Sequence, residues 1–230
     1  MNSFEEGKVL LINKPLRWTS FDVVRKIRNA VKIKKVGHAG TLDPLATGLL
    51  IVCTGKFTKK INEYMAREKE YTGTFSLGAT TPTYDLESEP ENIQSTAALS
   101  EAAIIAATRN CCGEILQVPP VHAIKKNGKP VYLLARKGID IALELRRITI
   151  KDFTITAIDM PVIHFKVTCS TGTYIRSLAH DFGAALGCGA YLSSLCRTRI
   201  GEFGIGGAMT MEQVIGMIEQ EKTGSVDRET

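Results

Sequence analysis

The sequence lacks several features that would place a protein in a class at once. No apolar run approaches the roughly 18 residues of a membrane-spanning helix, so we expect no membrane association. The first residues, Met-Asn-Ser-Phe-Glu-Glu, are polar and acidic, unlike a secretory signal peptide. The six cysteines form no Cys-x-x-Cys pair, and no histidine or cysteine spacing is typical of a metal site. These absences predict a cytoplasmic protein with reduced thiols and no bound metal.

The charged residues are unevenly distributed, although the net charge is only +5. Residues 1–35 hold nine Lys or Arg against three Asp or Glu, and residues 121–151 hold eight against two. Residues 85–101 hold five acidic residues and no basic one. This pattern indicates a polarised surface suited to phosphates, although either basic block alone would equally fit a solvated face.

Residues 37–50 are the most informative segment. Asp43 lies in a turn framed by Gly37, Gly40, Pro44 and Gly48, and an apolar strand follows the turn. Glycine allows the backbone to approach a ligand closely and proline stiffens a turn, so the pattern predicts a rigidly held carboxylate. The alternative is that Asp-Pro is only a common turn dipeptide.

The apolar periodicity predicts an α+β fold. Three helices are expected. The first begins at Ser20 and buries Val23, Val24 and Ile27, and the second covers residues 96–108. The third begins at a capping box formed by Thr210 and Gln213. Strands are expected at 69–77, near 145–158 and at 162–169. Strands outnumber helices and do not alternate regularly with them, which argues against a doubly wound sheet.

The Asp43 segment resembles the catalytic motif of the bacterial tRNA pseudouridine-55 synthases, the TruB family. The matching residues are His38, Gly40, Leu42, Asp43, Pro44, Thr47 and Gly48. Further blocks match in the family's order: Lys14-Pro15 with Thr19-Ser20, Lys69-Glu70-Tyr71, Asp85, the run from Gly172 to Arg176, and the run from Gly187 to Ala190 followed by Leu195 and Arg197. Arg17 departs from the pattern, because the family usually has glycine there. The blocks cover residues 8 to about 204.

The resemblance implies a pseudouridine synthase fold, with a central twisted, mixed and mainly antiparallel sheet flanked by helices and loops. It also implies isomerisation of uridine to pseudouridine at position 55 in the T-arm loop of tRNA. The target base is flipped out, its N1–C1′ bond breaks, and C5 is joined to C1′. The reaction needs no cofactor and no metal.

The resemblance also implies the site residues. They are the catalytic Asp43, the supporting residues Arg176, Tyr71, Tyr174, Leu195 and Asp85, and the RNA-binding residues His38 and Lys14. Arg176 is the expected counter-ion of Asp43, and Tyr71 the platform on which the flipped base stacks. Tyr174 would hydrogen-bond the base or hold the surroundings of Tyr71, Leu195 would close the pocket and Asp85 would organise the site. Whether Asp43 attacks C1′ or removes a sugar proton is left open.

The expected organisation is a catalytic domain at 1–208 and a short C-terminal helix with a frayed tail at 209–230. An RNA-clasping insertion is expected at about 119–138, and its phosphate-binding residues would be Lys125, Lys126, Lys129, Arg136 and Lys137. Typical family members carry a further C-terminal RNA-binding domain, for which too few residues follow Phe203. We expect a cytoplasmic monomer that binds the tRNA T-arm and has no obligate protein partner.

Two alternatives remain at this point. A pseudouridine synthase could act on another RNA, but ribosomal RNA enzymes usually frame the aspartate as Arg-Leu-Asp, whereas this chain has Thr-Leu-Asp-Pro. Archaeal and eukaryotic guide-dependent relatives share Thr-Leu-Asp-Pro, but they carry the further C-terminal domain and normally lack the Leu-Ala that follows Pro44 here. The protein could instead be a non-catalytic tRNA-folding chaperone, against which the presence of both Asp43 and Arg176 argues.

Overall fold

A computed structural model describes residues 3–120, 125–126, 129–130 and 144–226. The chain forms two compact units, one of Met1–Glu70 with Cys196–Thr230 and one of Tyr71–Leu195. The α-helices are α1 (Ser3–Glu6), α2 (Ser20–Val31), α3 (Ile61–Ala66), α4 (Glu101–Asn110), α5 (Ile175–Ala185) and α6 (Met211–Val226). The strands are β1 (Val9–Lys14), β2 (Val36–His38), β3 (Ala46–Thr54), β4 (Lys69–Leu77), β5 (Gly113–Gln117), β6 (Lys125–Lys126), β7 (Lys129–Pro130), β8 (Arg146–Asp159), β9 (Val162–Cys169), β10 (Ala190–Ile200) and β11 (Phe203–Gly204). Short 3-10 helices span Gly55–Lys60 and Ile205–Gly207.

In the first unit, β3 pairs antiparallel with both β1 and β2. The predicted apolar face of α2 is confirmed, since Val23, Val24 and Ile27 are buried. They share one core cluster with Val214 and Ile218 of α6. The final helix therefore belongs to the core of this unit, because its apolar residues are removed from water together with those of α2.

The ends of α6 partly match the prediction. The capping box is confirmed: the Gln213 N–H donates to Thr210 Oγ1 at 3.3 Å, and the Thr210 N–H donates to Gln213 Oε1 at 2.8 Å. The helix continues to Val226 and so extends into the tail that was expected to be frayed. Residues 227–230 lie outside the described residues.

In the second unit, the strands pair in the order β4-β9-β8-β5. The β5–β8 and β8–β9 pairs are antiparallel, and Gln117 lies opposite Arg146 at one end of β5. Helix α5 packs against these strands through Phe182, whose ring centroid lies 5.9 Å from that of Phe75 and 5.3 Å from that of Phe153. This aromatic contact fixes the helix whose first turn contains Arg176.

The α+β class is confirmed, since helices cover sheets whose strands pair mainly antiparallel. Strand β4 and the strands near 145–158 and 162–169 are confirmed as well. One boundary was wrong: the helix expected from residue 96 begins at Glu101, where the Ser100 hydroxyl accepts from the Ala103 N–H at 3.2 Å. The Ala-rich stretch before Ser100 has helical propensity, but the capping hydroxyl sets the start of the helix.

Candidate active site

Asp43 lies half-buried in the first unit, on the loop of residues 39–45 between β2 and β3. The loop backbone is bonded from several sides. Ser20 Oγ accepts from the Leu42 N–H at 2.9 Å and lies 3.2 Å from the Leu42 carbonyl, to which it donates. The Arg17 N–H donates to the Pro44 carbonyl at 2.7 Å, and the Ala46 N–H donates to the Asp43 carbonyl at 3.0 Å. The residues on both sides of Asp43 are therefore fixed, as the turn-forming pattern predicted.

Arg197 of β10 holds the same loop from beneath. Its guanidinium is fully buried and donates to three backbone carbonyls: Leu49 at 2.8 Å, Gly40 at 3.1 Å and Thr41 at 3.4 Å. Gly48 makes the close approach possible, because a Cβ built there would lie 2.4 Å from the Arg197 carbonyl oxygen. Sequence reasoning matched Arg197 to a family block but gave it no role. Its role here is to connect the first residues of the Asp43 loop to β3.

Lys14 is placed differently from the prediction of an RNA-binding lysine. Its side chain is fully buried, and its ammonium donates to the carbonyls of Trp18 at 2.6 Å and Pro15 at 3.0 Å. Burial lowers the pKa of Lys14 from 10.5 to about 8, while the carboxylate of Asp43 acts in the opposite direction. Lys14 thus lies under the Asp43 loop as a buried cation instead of facing phosphates.

His38 ends β2, and its side chain is half-buried. Burial, with the nearby guanidinium of Arg197 as a second cause, lowers the pKa of His38 below its usual 6.5. The imidazole is therefore neutral at pH 7, because loss of hydration disfavours the charged form. A contact between His38 and RNA remains a prediction, and at neutral pH it would be a hydrogen bond or packing contact and not an ion pair.

In the second unit, Arg176 and Asp85 form a buried ion pair. Arg176 Nη1 lies 3.2 Å from Asp85 Oδ2, and the two side chains are only 6% and 5% exposed. Asp85 Oδ1 also accepts from the Glu87 N–H at 3.0 Å. Asp85 therefore orients the guanidinium of Arg176 within this unit, which fits the organising role that the family resemblance implied. The pairing of Arg176 with Asp43 stays a prediction.

Tyr174 precedes α5, and its backbone is bonded by a residue that sequence reasoning missed. The side chain of Gln117, at the end of β5, is 1% exposed. Its Oε1 accepts from the Tyr174 N–H at 2.8 Å and its Nε2 donates to the Tyr174 carbonyl at 3.0 Å. One step further, the Ser177 hydroxyl donates to the Val118 carbonyl at 2.7 Å. The guanidinium of Arg146 lies 5.6 Å from the centre of the Tyr174 ring.

The other predicted site residues are placed as follows. Tyr71 of β4 is buried and Leu195 of β10 is half-buried. Lys125, Lys126 and Lys129 belong to a two-stranded antiparallel pair in which Lys126 lies opposite Lys129. Arg136 and Lys137 lie outside the described residues, so binding of phosphates by the insertion stays a prediction.

Among the described residues, no cluster of His, Cys, Asp and Glu side chains could hold a metal ion. In the same part of the chain, no helix is long and apolar enough to span a membrane.

Two family models match the chain. The TruB family pseudouridylate synthase N-terminal domain matches residues 28–175, and the tRNA pseudouridylate synthase B C-terminal domain matches residues 176–229. The first contains the Asp43 loop, and the second contains α5, β10 and α6. The expected absence of a further RNA-binding domain stays a prediction.

Full-length relatives are similar over nearly their whole length. The tRNA pseudouridine synthase B of Flavobacterium johnsoniae is 52% identical over 212 residues, which cover 89% of this chain and 93% of the relative. The protein of the same name from Phocaeicola vulgatus is 45% identical over 234 residues, which cover 99% of this chain and all of the relative.

Solved structures have the same fold. A chain of the Cbf5-Nop10-Gar1 complex superimposes with a TM-score of 0.73 at 29% identity, over 93% of this chain and 54% of that chain. A chain of the archaeal box H/ACA sRNP Nop10-Cbf5 complex gives 0.72 at 27% identity, over 96% of this chain and 57% of that chain. This chain thus spans little more than half the length of those two. The likeness confirms the predicted pseudouridine synthase fold.

Proposed function

Because the chain belongs to the TruB family of pseudouridylate synthases, we propose that it modifies uridine 55 in the T-arm loop of tRNA, with Asp43 as the catalytic carboxylate. Its activity is the isomerisation of uridine to pseudouridine in tRNA. The position in the tRNA and the roles of individual residues belong to the proposal.

The observation that carries the proposal is the fixed backbone around Asp43. Gly40, Thr41, Leu42 and Pro44 all accept hydrogen bonds from residues outside the loop. A carboxylate on such a loop does not have to be ordered when substrate binds, so little binding energy is spent on positioning it. A loop with a purely structural Asp-Pro turn has no need of a buried arginine that bonds two of its carbonyls and one carbonyl of the strand that follows it.

The chemistry requires the base to leave its sugar and return by another atom. The N1–C1′ bond breaks, the detached base turns, C5 bonds to C1′, and the proton from C5 is lost while N1 gains one. Asp43 either attacks C1′ or removes a proton from the sugar; both roles need an ionised carboxylate. Tyr71 stacks on the flipped base and Leu195 closes the pocket.

Arg176 supplies positive charge to this reaction, and Asp85 orients it. A guanidinium can bond a carboxylate through two parallel N–H groups, a geometry that suits an arginine whose side chain is already held. Tyr174, fixed through its backbone by Gln117, contacts the base. The protein acts as a cytoplasmic monomer on the T-arm, and its insertion contributes the lysines of β6 and β7 to phosphate binding.

The proposal is tested with an unmodified tRNA transcript and with the same transcript carrying cytidine at position 55. After incubation, pseudouridine is located by mass spectrometry of nuclease fragments. We expect one pseudouridine, at position 55, in the first RNA and none in the second. Fragments of ribosomal RNA incubated in parallel test the alternative substrate. Binding and refolding of the transcript without any pseudouridine would instead favour the tRNA-folding chaperone.

A further inference from the structure

The first unit contains a cavity of about 270 Å³ that none of the site residues lines. Its lining residues come from the segment before α2 and from the exposed side of α2: Arg17, Trp18, Asp22, Arg25, Lys26 and Asn29. These residues are called the Trp18 pocket below. This volume lies near the lower end of the range for small-ligand sites. The cavity therefore has room for a group about the size of one nucleotide and is not a deep substrate cleft.

The Trp18 pocket has an excess of positive charge. Its only carboxylate, Asp22, accepts from the Thr19 N–H at 3.0 Å and hydroxyl at 2.6 Å, and it pairs with Arg25 at 2.7 Å. The bonds from Thr19 hold the pKa of Asp22 below its usual range. Arg25 and Asp22 therefore neutralise each other. Within the described residues, the charged ends of Arg17 and Lys26 have neither a hydrogen bond nor an ion pair, so they are available to an anion.

Arg17 has an unfavourable backbone conformation. Its φ is +67°, in the left-handed region that glycine adopts without strain and that arginine does not. The same residue donates its N–H to the Pro44 carbonyl of the Asp43 loop at 2.7 Å. The left-handed backbone of Arg17 lowers the stability of the folded protein, and strain of this kind is often kept at functional sites. An exposed arginine in this conformation beside the Asp43 loop therefore indicates a role in binding a ligand.

The pocket also offers an aromatic surface. Trp18 packs against the core cluster of the first unit and lines the cavity. Leu16 and Phe21, which flank this segment, are 53% and 58% exposed. Cations alternating with exposed aromatic and apolar groups are typical of surfaces that bind single-stranded nucleic acid, where phosphates meet cations and unstacked bases meet rings. An acidic peptide would need the cations but not this apolar surface.

We propose that the Trp18 pocket is a second RNA subsite, in which Arg17 and Lys26 bind a phosphate and Trp18 packs against the nucleoside of a nucleotide that neighbours the target uridine. The inference rests on the proposed function, because it assumes that the target uridine is presented to Asp43. The direct bond from Arg17 to the Asp43 loop places the subsite next to that uridine. Occupation of the pocket would then align the RNA strand with the catalytic carboxylate.

Trp18 gives the experiment its signal, because it is the only tryptophan in the chain. Intrinsic fluorescence is titrated with an unmodified tRNA transcript and, separately, with poly-glutamate. We expect a saturable fluorescence change with tRNA, at the same midpoint as binding measured by filter retention, and no change with poly-glutamate. The same preparation is assayed for pseudouridine, so that loss of the proposed function is recognised separately.

Two glycine variants test the cation. Arg17→Gly removes the charge and relieves the left-handed strain, so the fold is not endangered. Lys32→Gly is the matched control: Lys32 is also exposed, also has a positive φ of 57°, and ends the same helix away from the cavity. Arg17→Gly should weaken tRNA binding three- to tenfold and flatten the dependence of log Kd on log salt by about 0.7 to 0.9. Lys26→Gln should do the same, whereas Lys32→Gly should leave the slope unchanged.

The proposal is overturned if Arg17→Gly and Lys26→Gln bind tRNA with the affinity and salt slope of Lys32→Gly. It is also overturned if tRNA leaves the fluorescence of Trp18 unchanged, or if poly-glutamate alters it with equal affinity. If the protein shows the expected fluorescence change and salt effects but forms no pseudouridine, the result contradicts the proposed function and supports the RNA subsite.

Discussion

Gln117 and Tyr174 exchange two hydrogen bonds across 57 residues of sequence, through the side-chain amide of one and the backbone amide and carbonyl of the other. The arrangement copies the bonding between two residues of neighbouring strands. It extends the edge of the sheet at β5 onto the segment that leads into α5, two residues before Arg176. The orientation of Tyr174 and Arg176 therefore depends on a buried amide with no charge of its own.

Gln117→Glu should lower turnover without a matching loss of tRNA binding. The new carboxylate oxygen faces the Tyr174 carbonyl and cannot donate, so a buried acceptor is left unsatisfied at a cost of about 1–3 kcal/mol. We expect kcat to fall at least tenfold while KM changes less than threefold. Gln220→Glu makes the same change on an exposed residue of α6 and should affect neither. A variant that is less stable but fully active would show that Gln117 only supports the fold.

Asp43→Asn should abolish pseudouridine formation and leave tRNA binding within a few-fold. The asparagine keeps the shape and the backbone bonds of the loop but cannot act as nucleophile or base, roles for which a loss of about 10²–10⁴ is typical. Asp159→Asn, at an exposed position of β8, is the control. Turnover of one-tenth of the wild-type value or more would remove Asp43 from the catalytic step.

The sequence predicted those features that depend on local patterns. The buried face of α2 follows from the spacing of Val23, Val24 and Ile27, and the start of α6 follows from Thr210 and Gln213 three residues apart. The turn around Asp43 follows from its glycines and proline. Each of these patterns can be recognised because the interacting residues lie within one or two turns of chain.

The missed features depend on contacts between distant segments. Lys14 is in a basic block, and no local signal shows that the end of β1 is buried beneath the Asp43 loop. Gln117 has no neighbour in sequence that identifies its partner, Tyr174. Arg197 bonds backbone carbonyls of residues about 150 positions earlier. Every residue has a backbone carbonyl, so the sequence does not show which ones an arginine will bond.

Arg176→Lys should lose most activity although the charge is kept. Lysine is a compact point charge and cannot reproduce the planar set of donors that Asp85 orients. Asp85→Asn should destabilise the second unit by about 3–5 kcal/mol, because it removes a buried carboxylate that pairs with the guanidinium of Arg176. Turnover and urea unfolding are measured for both variants and for the double variant. Full activity of Arg176→Lys would mean that only the charge at this position matters.

Arg197→Lys should loosen the Asp43 loop more than the rest of the first unit. A lysine ammonium cannot reach the carbonyls of Gly40, Thr41 and Leu49 together, and each lost bond from a charged donor is worth about 1.5–3 kcal/mol. Hydrogen exchange of the Leu42 and Ala46 amides is the direct measurement, since the Leu42 N–H donates to Ser20 Oγ and the Ala46 N–H donates to the Asp43 carbonyl. We expect their protection to fall and turnover to fall with it.

The control for Arg197→Lys is Arg199→Lys, which alters a half-buried arginine of the same strand that pairs with Glu68. That variant should leave protection at Leu42 and Ala46 unchanged. Equal exchange at these amides in wild type and Arg197→Lys would contradict the role assigned to Arg197.

Lys14 should make stability rise with pH in a defined window. Its pKa is about 8 in the folded protein and 10.5 without burial. Between these values the unfolded chain binds the proton more tightly than the folded protein does, so raising the pH favours folding. The cost of the buried charge is present in full below about pH 8 and is relieved by pH 10.5, a change of about 3 kcal/mol at 1.36 kcal/mol per pKa unit.

The measurement is the difference in unfolding free energy between wild type and Lys14→Met, taken at intervals from pH 6 to 10.5. The loss of the bonds to Pro15 and Trp18 adds an offset to this difference that does not change with pH, because a neutral amine can still donate to both carbonyls. Buried thiols and tyrosines titrate equally in both proteins, so their contributions cancel in the difference. The difference should be flat up to about pH 7 and then move in favour of wild type. In an Asp43→Asn background the rise should begin at lower pH, because the carboxylate that raises the pKa of Lys14 is gone. A difference that stays flat throughout would mean that the ammonium of Lys14 is solvated and does not lie beneath the catalytic loop.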